Sequence, residues 1–507
     1  MSVMKWLWRW AWAALLGLGT VGCGVDSGDT SSGGAGGGGP ACDDDPKEAE
    51  EPVLPGCGIW VSASKGIDSN PGTQDAPLAS LQTALERALL KQLRHVYACS
   101  EKWTEPVVMP DGVSLHGGFD CQAEWNHGGF SEIETAPGQI PVTVTGGLYD
   151  KSFLTDFVVR AGDAAEPGGY SIAVFVRDPG VYFTAMRCEL VAGDGADGAD
   201  GAPGDPDDLP ASDGVPGNPG VDACSGPLVG GGVRPFSACD SFGGVGGDSG
   251  VMLAQNGEDG GPPYTFSGAG GLGQENTVQC SGGQMGGDGD EGTFGLGGKG
   301  KPTIAVDGPV GRSGEDGEPG QPGQGGGGGG ATFGSMAVCG PVSAAGASGG
   351  SGGSGGCGGK GGQGGQAGGA GVPVVSRSSG LRVRSSVLRP GKAGNGGNGG
   401  PPQVGGIGAP GAPGGSGVGT IKSACPGGLG GDGGKGGWGG GGAAGRSPCV
   451  AVPAPPDPNE KPDPDILEQT LCHPVAAAQP GLGDPAEGED VVGEGGLDPS
   501  AANIEGW

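Results

Sequence analysis

The chain has 507 residues, 126 of them glycine and 44 proline, with a formal net charge of −31 from 57 acidic and 26 basic residues. An ordinary globular domain carries about 7% glycine and about 5% proline. Glycine packs nothing and loses the most backbone entropy on folding, so much of this chain cannot surround a conventional apolar core. The acidic balance repels a phosphate backbone and argues against nucleic acid as a partner.

The N-terminus reads MSVMKWLWRWAWAALLGLGTVGCG, with Lys5 and Arg9 ahead of an apolar stretch over residues 10–21. That stretch is shorter than the roughly 20 residues a bilayer span needs. Small residues then lead to Cys23, as in a secretory leader, so residues 1–22 are read as a signal peptide. The ending TVGC resembles a bacterial lipobox, with Thr20 where leucine is usual. The resemblance implies cleavage before Cys23 and its acylation (palmitate among the acyl groups), with a lipid bilayer as the partner. No aspartate follows Cys23, so in a Gram-negative host the implied location is the outer membrane or cell surface. Without acylation the protein would be secreted. Residues 23–56 read as a tether, glycine- and serine-rich over 24–40 and then acidic and proline-bearing.

Fourteen cysteines fit an oxidising compartment. The expected local pairs are Cys99–Cys121, Cys224–Cys239, Cys339–Cys357 and Cys425–Cys449. If Cys23 is acylated, an odd number remains and at least one thiol is left over. No CxxC occurs, so neither a zinc knuckle nor a dithiol motif is signalled.

Residues 57–193 read as the most conventional module. GIWVSAS predicts a strand, and GIDSNPGTQDAP a turn segment in which Asn70 precedes Pro71 and Gly72 follows. The next stretch predicts a helix with Leu78, Leu81, Leu85, Leu89 and Leu93 on one face. HVYACS and a series of short runs rich in Val, Ile, Phe and Tyr, separated by Gly, Pro and Asp, predict repeated short strands. The run from Val61 and Ser62 through Gly66, Asp68, Asn70, Pro71, Gly72, Thr73 and Pro77 to Leu81 resembles the opening of bacterial right-handed parallel β-helix (pectin-lyase-like) proteins. GVSLHGGFDCQAEW, over 112–125, is similar to a variant in glycine-rich lipoproteins of myxobacteria. The resemblance covers residues 57–192 and implies a fold but no chemistry. The fold class it implies is all-β: a right-handed parallel β-helix with an N-terminal capping helix, interrupted by long glycine-rich loops.

Residues 194–448 are glycine-rich. GDGADGADGAPGD and GEDGEPGQPGQG keep glycine at third positions for only a few triplets, which reads as compositional, since a collagen triple helix needs longer phasing and three chains. Apolar islands recur at 301–311 and 371–397, and the second resembles 180–198. Similar transitions occur at FSACDSFGGVGG and ATFGSMAVCGPVSAAG. The repetition predicts intermittent β-helix coils, with glycine tracts looping out from one edge; the alternative is a compact N-terminal module followed by a disordered tail. Residues 449–507, proline-rich and then acidic, predict a tail without a core of its own, held back through Cys472.

Catalytic signatures are thin. The chain has four histidines, His95, His116, His127 and His473, and no HExxH, GxSxG or P-loop pattern. A hydrolytic β-helix needs two placed carboxylates. Asp111, Asp120, Glu124, Asp156 and Asp178 qualify by residue type alone, and Asp111 and Asp120 read as turn residues. Arg160, Arg177 and Arg187 read as solvated. GGDGDEG, over 286–292, admits weak calcium binding only. Trp60 reads as core, whereas Trp103 and Trp125 are candidate glycan contacts. The favoured expectation is therefore a lipid-anchored envelope scaffold or interaction protein without catalysis and without a cofactor. The alternative is a protein that binds or degrades envelope or extracellular polysaccharide, as a lyase or glycosidase.

Overall fold

The structure is a computed structural model that describes residues 42, 45–48, 53, 55–146, 151–263, 267–455, 463–483, 490–496 and 503–507. The expected signal peptide and Cys23 lie outside these residues.

The regular structure is mostly strands in parallel sheets with few helices, which agrees with the expected all-β class. Starting from His95–Cys99, the chain visits three sheets in a fixed cyclic order, and each visit adds a strand beside the previous one. The first sheet holds Gly58–Val61, His95–Cys99, Ser114–Asp120, Lys151–Thr155, Tyr182–Met186, Leu381–Arg384 and Leu467–Glu468. The second begins at Lys102–Trp103 and ends at Leu471–Cys472, and the third runs from Val107–Pro110 to Ile504–Gly506. Inward side chains stack in register: Ile59 on Val96, Val96 on Leu115, Leu115 on Leu154, Leu154 on Ala185, Ala185 on Val383. Each large aliphatic side chain so buried stabilises by about 1.5–3 kcal/mol.

The opening motif has a local explanation. Asp68 Oδ1 accepts from the backbone N–H of Ala79 and Ser80 at 3.0 and 2.9 Å, and Asn70 Nδ2 donates to Pro77 O at 2.9 Å. Gly72 holds φ +83°, which a side-chain-bearing residue rarely adopts. The turn delivers Ser80 as N-cap, its Oγ accepting from Thr83 N at 3.0 Å. The helix Leu81–Leu90 then buries Leu81, Ala84, Leu85 and Ala88 over the open end of the sheets. The expected stripe holds for Leu78, Leu81, Leu85 and half-buried Leu93, but Leu89 is exposed and Ala88 faces the strands in its place.

Adjacent circuits reproduce the internal repeat. Tyr182–Met186 and Glu189–Val191 pair with Leu381–Arg384 and Val387–Arg389, in parallel register. Between them lie residues 192–370, and a second excursion spans 390–449. Both leave the second sheet and rejoin the third. The tail residues 449–507 supply further strands, Val450–Val452, Leu467–Glu468, Leu471–Cys472 and Ile504–Gly506.

The glycine tracts are not loops, and this corrects the expectation. They run as extended segments whose N–H groups bond every third residue to a neighbouring segment: Gly195 to Lys392 O, Gly198 to Asn395 O, Gly201 to Asn398 O. Three residues per turn with no internal hydrogen bonds is the pattern of the polyproline II helix. Segment 312–334 exchanges backbone hydrogen bonds with six neighbours, at 244–247, 255–261, 271–274, 281–296, 350–365 and 425–443. Segments 348–370 and 423–447 are surrounded in the same way, and the shorter runs form a ring around all three. Glycine phasing follows coverage. GADGADGAPG, at the bundle edge, has one glycine per triplet, whereas GGSGGSGGCGGKGGQGGQ in the interior has two. Where residues 325–330 are enclosed on every side, all positions are glycine. The third-phase residue is a buried Ser at 348, 351 and 354 under a covering segment, and an exposed Lys360 or Gln363 where the cover ends. The triplet register dismissed as compositional thus builds a single-chain bundle. The apolar island at 301–311 is an antiparallel hairpin at one of its turns, and 236–241 and 333–345 are turns and not coils.

Among the described residues six disulfides staple the fold: Cys42–Cys57, Cys99–Cys121, Cys224–Cys339, Cys239–Cys357, Cys280–Cys425 and Cys449–Cys472. Only Cys99–Cys121 follows the expected local pairing. The pairs Cys224–Cys239, Cys339–Cys357 and Cys425–Cys449 do not form, because the up-and-down run of the bundle places distant turns side by side.

Candidate functional site

A cluster of buried polar side chains sits on the outer face of the first sheet. Strand alternation turns His95 and Tyr97, Ser114 and His116, and Phe153 and Thr155 away from the apolar interior. Register places Trp60, Tyr97, His116, Thr155 and Met186 in one row. Trp60, Tyr97, Phe119 and half-buried Trp125 pack as an outer aromatic cluster. Beside it lies a cavity of about 220 Å³ lined by Asp45, Arg94, His95, His116, Lys151 and Phe153, among others.

His95 Nδ1 and His116 Nε2 are 3.0 Å apart, and His116 Nδ1 is 3.0 Å from Thr155 Oγ1. Burial first, and then the repulsion of His95, pushes the His116 pKa down to about 3. His116 is therefore a neutral link between His95 and the Thr155 hydroxyl. The unfolded chain takes up a proton near pH 6.5 and the folded one does not until about pH 3, so this contribution to stability is complete above pH 6.5 and declines as the pH falls toward 3. Between pH 6.5 and 4.5 it removes up to about 2–3 kcal/mol. His116→Gln should flatten that part of the pH profile of urea denaturation. An unchanged slope would contradict a neutral, buried His116.

Asp156 begins the corner between the first and second sheets. It holds φ 58°, and the equivalent corner residues of later circuits, Arg187, Ser385 and Gln469, hold φ 52°, 47° and 49°. This ladder stacks Asp156 against Arg187. Arg187 Nε and Nη2 donate to the Asp156 carboxylate at 2.9 and 2.7 Å, and its Nη1 and Nη2 reach Asp45 at 2.7 and 2.8 Å. His127 Nε2 and Lys47 Nζ each lie 3.3 Å from Asp156. Burial alone would raise the Asp156 pKa, but the hydrogen bonds and charges of His127 and Arg187 outweigh it and hold the group well below the usual carboxylate range. The same contacts raise Arg187 above its ordinary value against the opposing effect of burial. Arg187, read from sequence as solvated, is thus the clamp that joins tether residue Asp45 to the body. The sequence signal for this cluster is weak: only the alternation of polar residues with Val, Ala and Leu in the strands points to it.

The remaining candidates do not converge. Trp103 is buried in the apolar core and its indole N–H donates to Ala79 O at 3.1 Å, so it offers no sugar-stacking face. Trp125 packs edge-on against Trp60 and donates to Gln74 O at 3.2 Å. Trp60 is core. Asp120 Oδ1 accepts from Gln122 and Ala123 N–H within its turn, Glu124 follows in that turn, and Asp111 is buried beside the Gly112 turn. Asp178 caps Gly146 N, with Arg177 nearby. Arg160 joins a row of exposed pairs with Glu132 and Glu189 on the second sheet, and His473 is exposed. GGDGDEG is an extended bundle segment in which Asp288 Oδ1 accepts from Asp432 N. Among the described residues no three His, Cys, Asp or Glu side chains come together as metal ligands. No helix among them is long and apolar enough to cross a membrane.

Comparison with protein-family models, curated proteins and solved structures finds no match.

Proposed function

We propose that this chain is a lipid-anchored envelope scaffold, built on a right-handed parallel β-helix, that holds a stiff glycine-rich bundle away from the membrane. The observation that carries the reading is the clamp of Asp45 and Lys47 onto Arg187 and Asp156, next to the Cys42–Cys57 disulfide. A tether that ends in a lipid needs a firm attachment to the body it displays, and the clamp provides one. The right hand is supported by the cyclic order of parallel strands, since parallel crossovers are right-handed in nearly all cases. The cysteine inventory supports the anchor. Twelve of the fourteen cysteines form the six disulfides. Cys188 is a buried free thiol, pushed up to about 12 chiefly by burial, and none of the six disulfides uses Cys23, which lies outside the described residues. If Cys23 carries the lipid, wild type takes up labelled palmitate and fractionates with membrane, and Cys23→Ala loses both properties. An unlabelled, freely released wild type sinks the anchor.

A further inference from the structure

In the bundle, segments 312–334 and 348–370 pack so that every third glycine from Gly349 to Gly364 abuts the carbonyl of every third glycine from Gly329 back to Gly314. At the distal end of this ladder a third segment is seated. Gly244 and Gly247 donate to Gly326 O and Gly329 O at 2.8 and 2.9 Å, and accept from Gly352 and Gly349 N–H at 2.9 Å each. The segment stops there, while the ladder beneath it continues. Ser241 Oγ takes the next N–H, that of Gly355, and Asp316 Oδ1 takes that of Gly364, both at 2.8 Å. Between these two stand-ins, the N–H groups of Gly358 and Gly361 and the carbonyls of Gly317 and Gly320 make no hydrogen bond within the described residues. These glycines are half-buried between ridges carrying exposed Pro319 and Lys360. A second track beside residues 396–417 is broken at Pro402, which has no N–H, and capped at Gly408 by Asp432 and at Gly417 by Ser423, with the N–H groups of Gly411 and Gly414 open among the described residues between the two caps.

We propose that the open stretch between Ser241 and Asp316 binds an extended peptide that carries glycine at every third residue. The occupant is set by the segment already seated on the same ladder. A methyl group at Gly243 or Gly246 would overlap Gly352 O or Gly349 O, so a chain continuing that track needs glycine at the matching phase. Its direction follows that of 244–247, parallel to 312–334. The affinity comes from main-chain hydrogen bonds, as when a strand is added to a sheet edge, and a polyproline II peptide is pre-extended in water, so little ordering opposes binding.

The test uses the full-length, disulfide-intact protein with glycine amides labelled for NMR, and a dodecapeptide of Gly-Gln-Pro repeats. The expected result is saturable binding in which the amide signals of Gly358 and Gly361 shift and gain exchange protection, while those of Gly349 and Gly352, already bonded, do not. The matched Ala-Gln-Pro peptide should not bind. Pro319→Trp, which overhangs the groove from an exposed position, should weaken binding by at least about tenfold without altering the disulfides. Absence of saturation, equal binding of the alanine peptide, shifts located elsewhere, or indifference to Pro319→Trp each overturns the proposal. Protection of the same two amides without peptide, in a sample that sediments as a dimer, would assign the groove to a second copy and overturn it too.

Discussion

Gly356→Ala is expected to unfold the bundle locally, at a cost of at least about 3 kcal/mol, the upper range for overpacking a closed interior. Gly356 lies where segment 348–370 is enclosed by its neighbours, and its N–H donates to Gly431 O at 3.0 Å. A methyl carbon there would lie 2.0 Å from Gly406 O, far inside van der Waals contact distance. The obstacle is a backbone carbonyl within a three-residue ladder, so relief requires shifting a whole segment and not rotating one side chain. Hydrogen exchange over residues 348–370 and 396–416 should accelerate, and proteolysis within 390–449 should begin. Gly128→Ala is the control: nothing lies within 4 Å of the added methyl, and its effect should stay within about 0.5 kcal/mol. Equal stability of the two variants would mean the bundle is not packed as described.

Arg187→Ala should be nearly as damaging to the β-sheet body. It leaves the Asp156 carboxylate, whose side chain is 1% exposed, with only His127 and Lys47. Breaking a buried pair by removing one partner costs about 3–5 kcal/mol, much of it the penalty for the remaining charge. The depressed Asp156 pKa sets the sign of the acid response. In wild type this contribution is complete above the unfolded value near 3.8 and disappears as the pH falls toward the lower folded value. In Arg187→Ala the carboxylate should titrate higher, so acid denaturation should lose most of this component. Asp45 loses both of its hydrogen bonds to Arg187 as well, so the tether around residues 45–48 should become cleavable while Cys42–Cys57 keeps the fragment attached. Wild-type resistance to proteolysis at the tether in this variant would show that the clamp does not hold it. Arg187→Lys should recover little, because a single ammonium cannot reproduce the bidentate contacts with two carboxylates.

The opening circuits could be read from the chain because their causes are local. Asp68, Asn70 and Gly72 make a turn within a few residues of themselves, and Ser80 caps the helix that follows. The likeness of 180–198 to 371–397 anticipated two strands in direct register, because two circuits on the same sheets face the same alternation of inside and outside. The helix face was partly missed, since whether Ala88 or Leu89 turns inward depends on the strands beneath. The polar cluster was missed for a related reason. Asp156 and Arg187 are separated by a whole circuit, and only the stacking of left-handed corners brings them together.

The amino-acid sequence alone determined where ordinary packing was available and where it was not. Alternating apolar residues marked the strands, and glycine at one, two or three positions per triplet recorded how many neighbours each bundle segment would touch, because a Cβ is excluded wherever a carbonyl approaches. The tertiary structure alone decided which segments became those neighbours. A period of three is common to all the tracts and names no partner, so disulfide pairing, the arrangement of segments around three central ones, and the docking of the tether through Arg187 follow from the path of the chain in space.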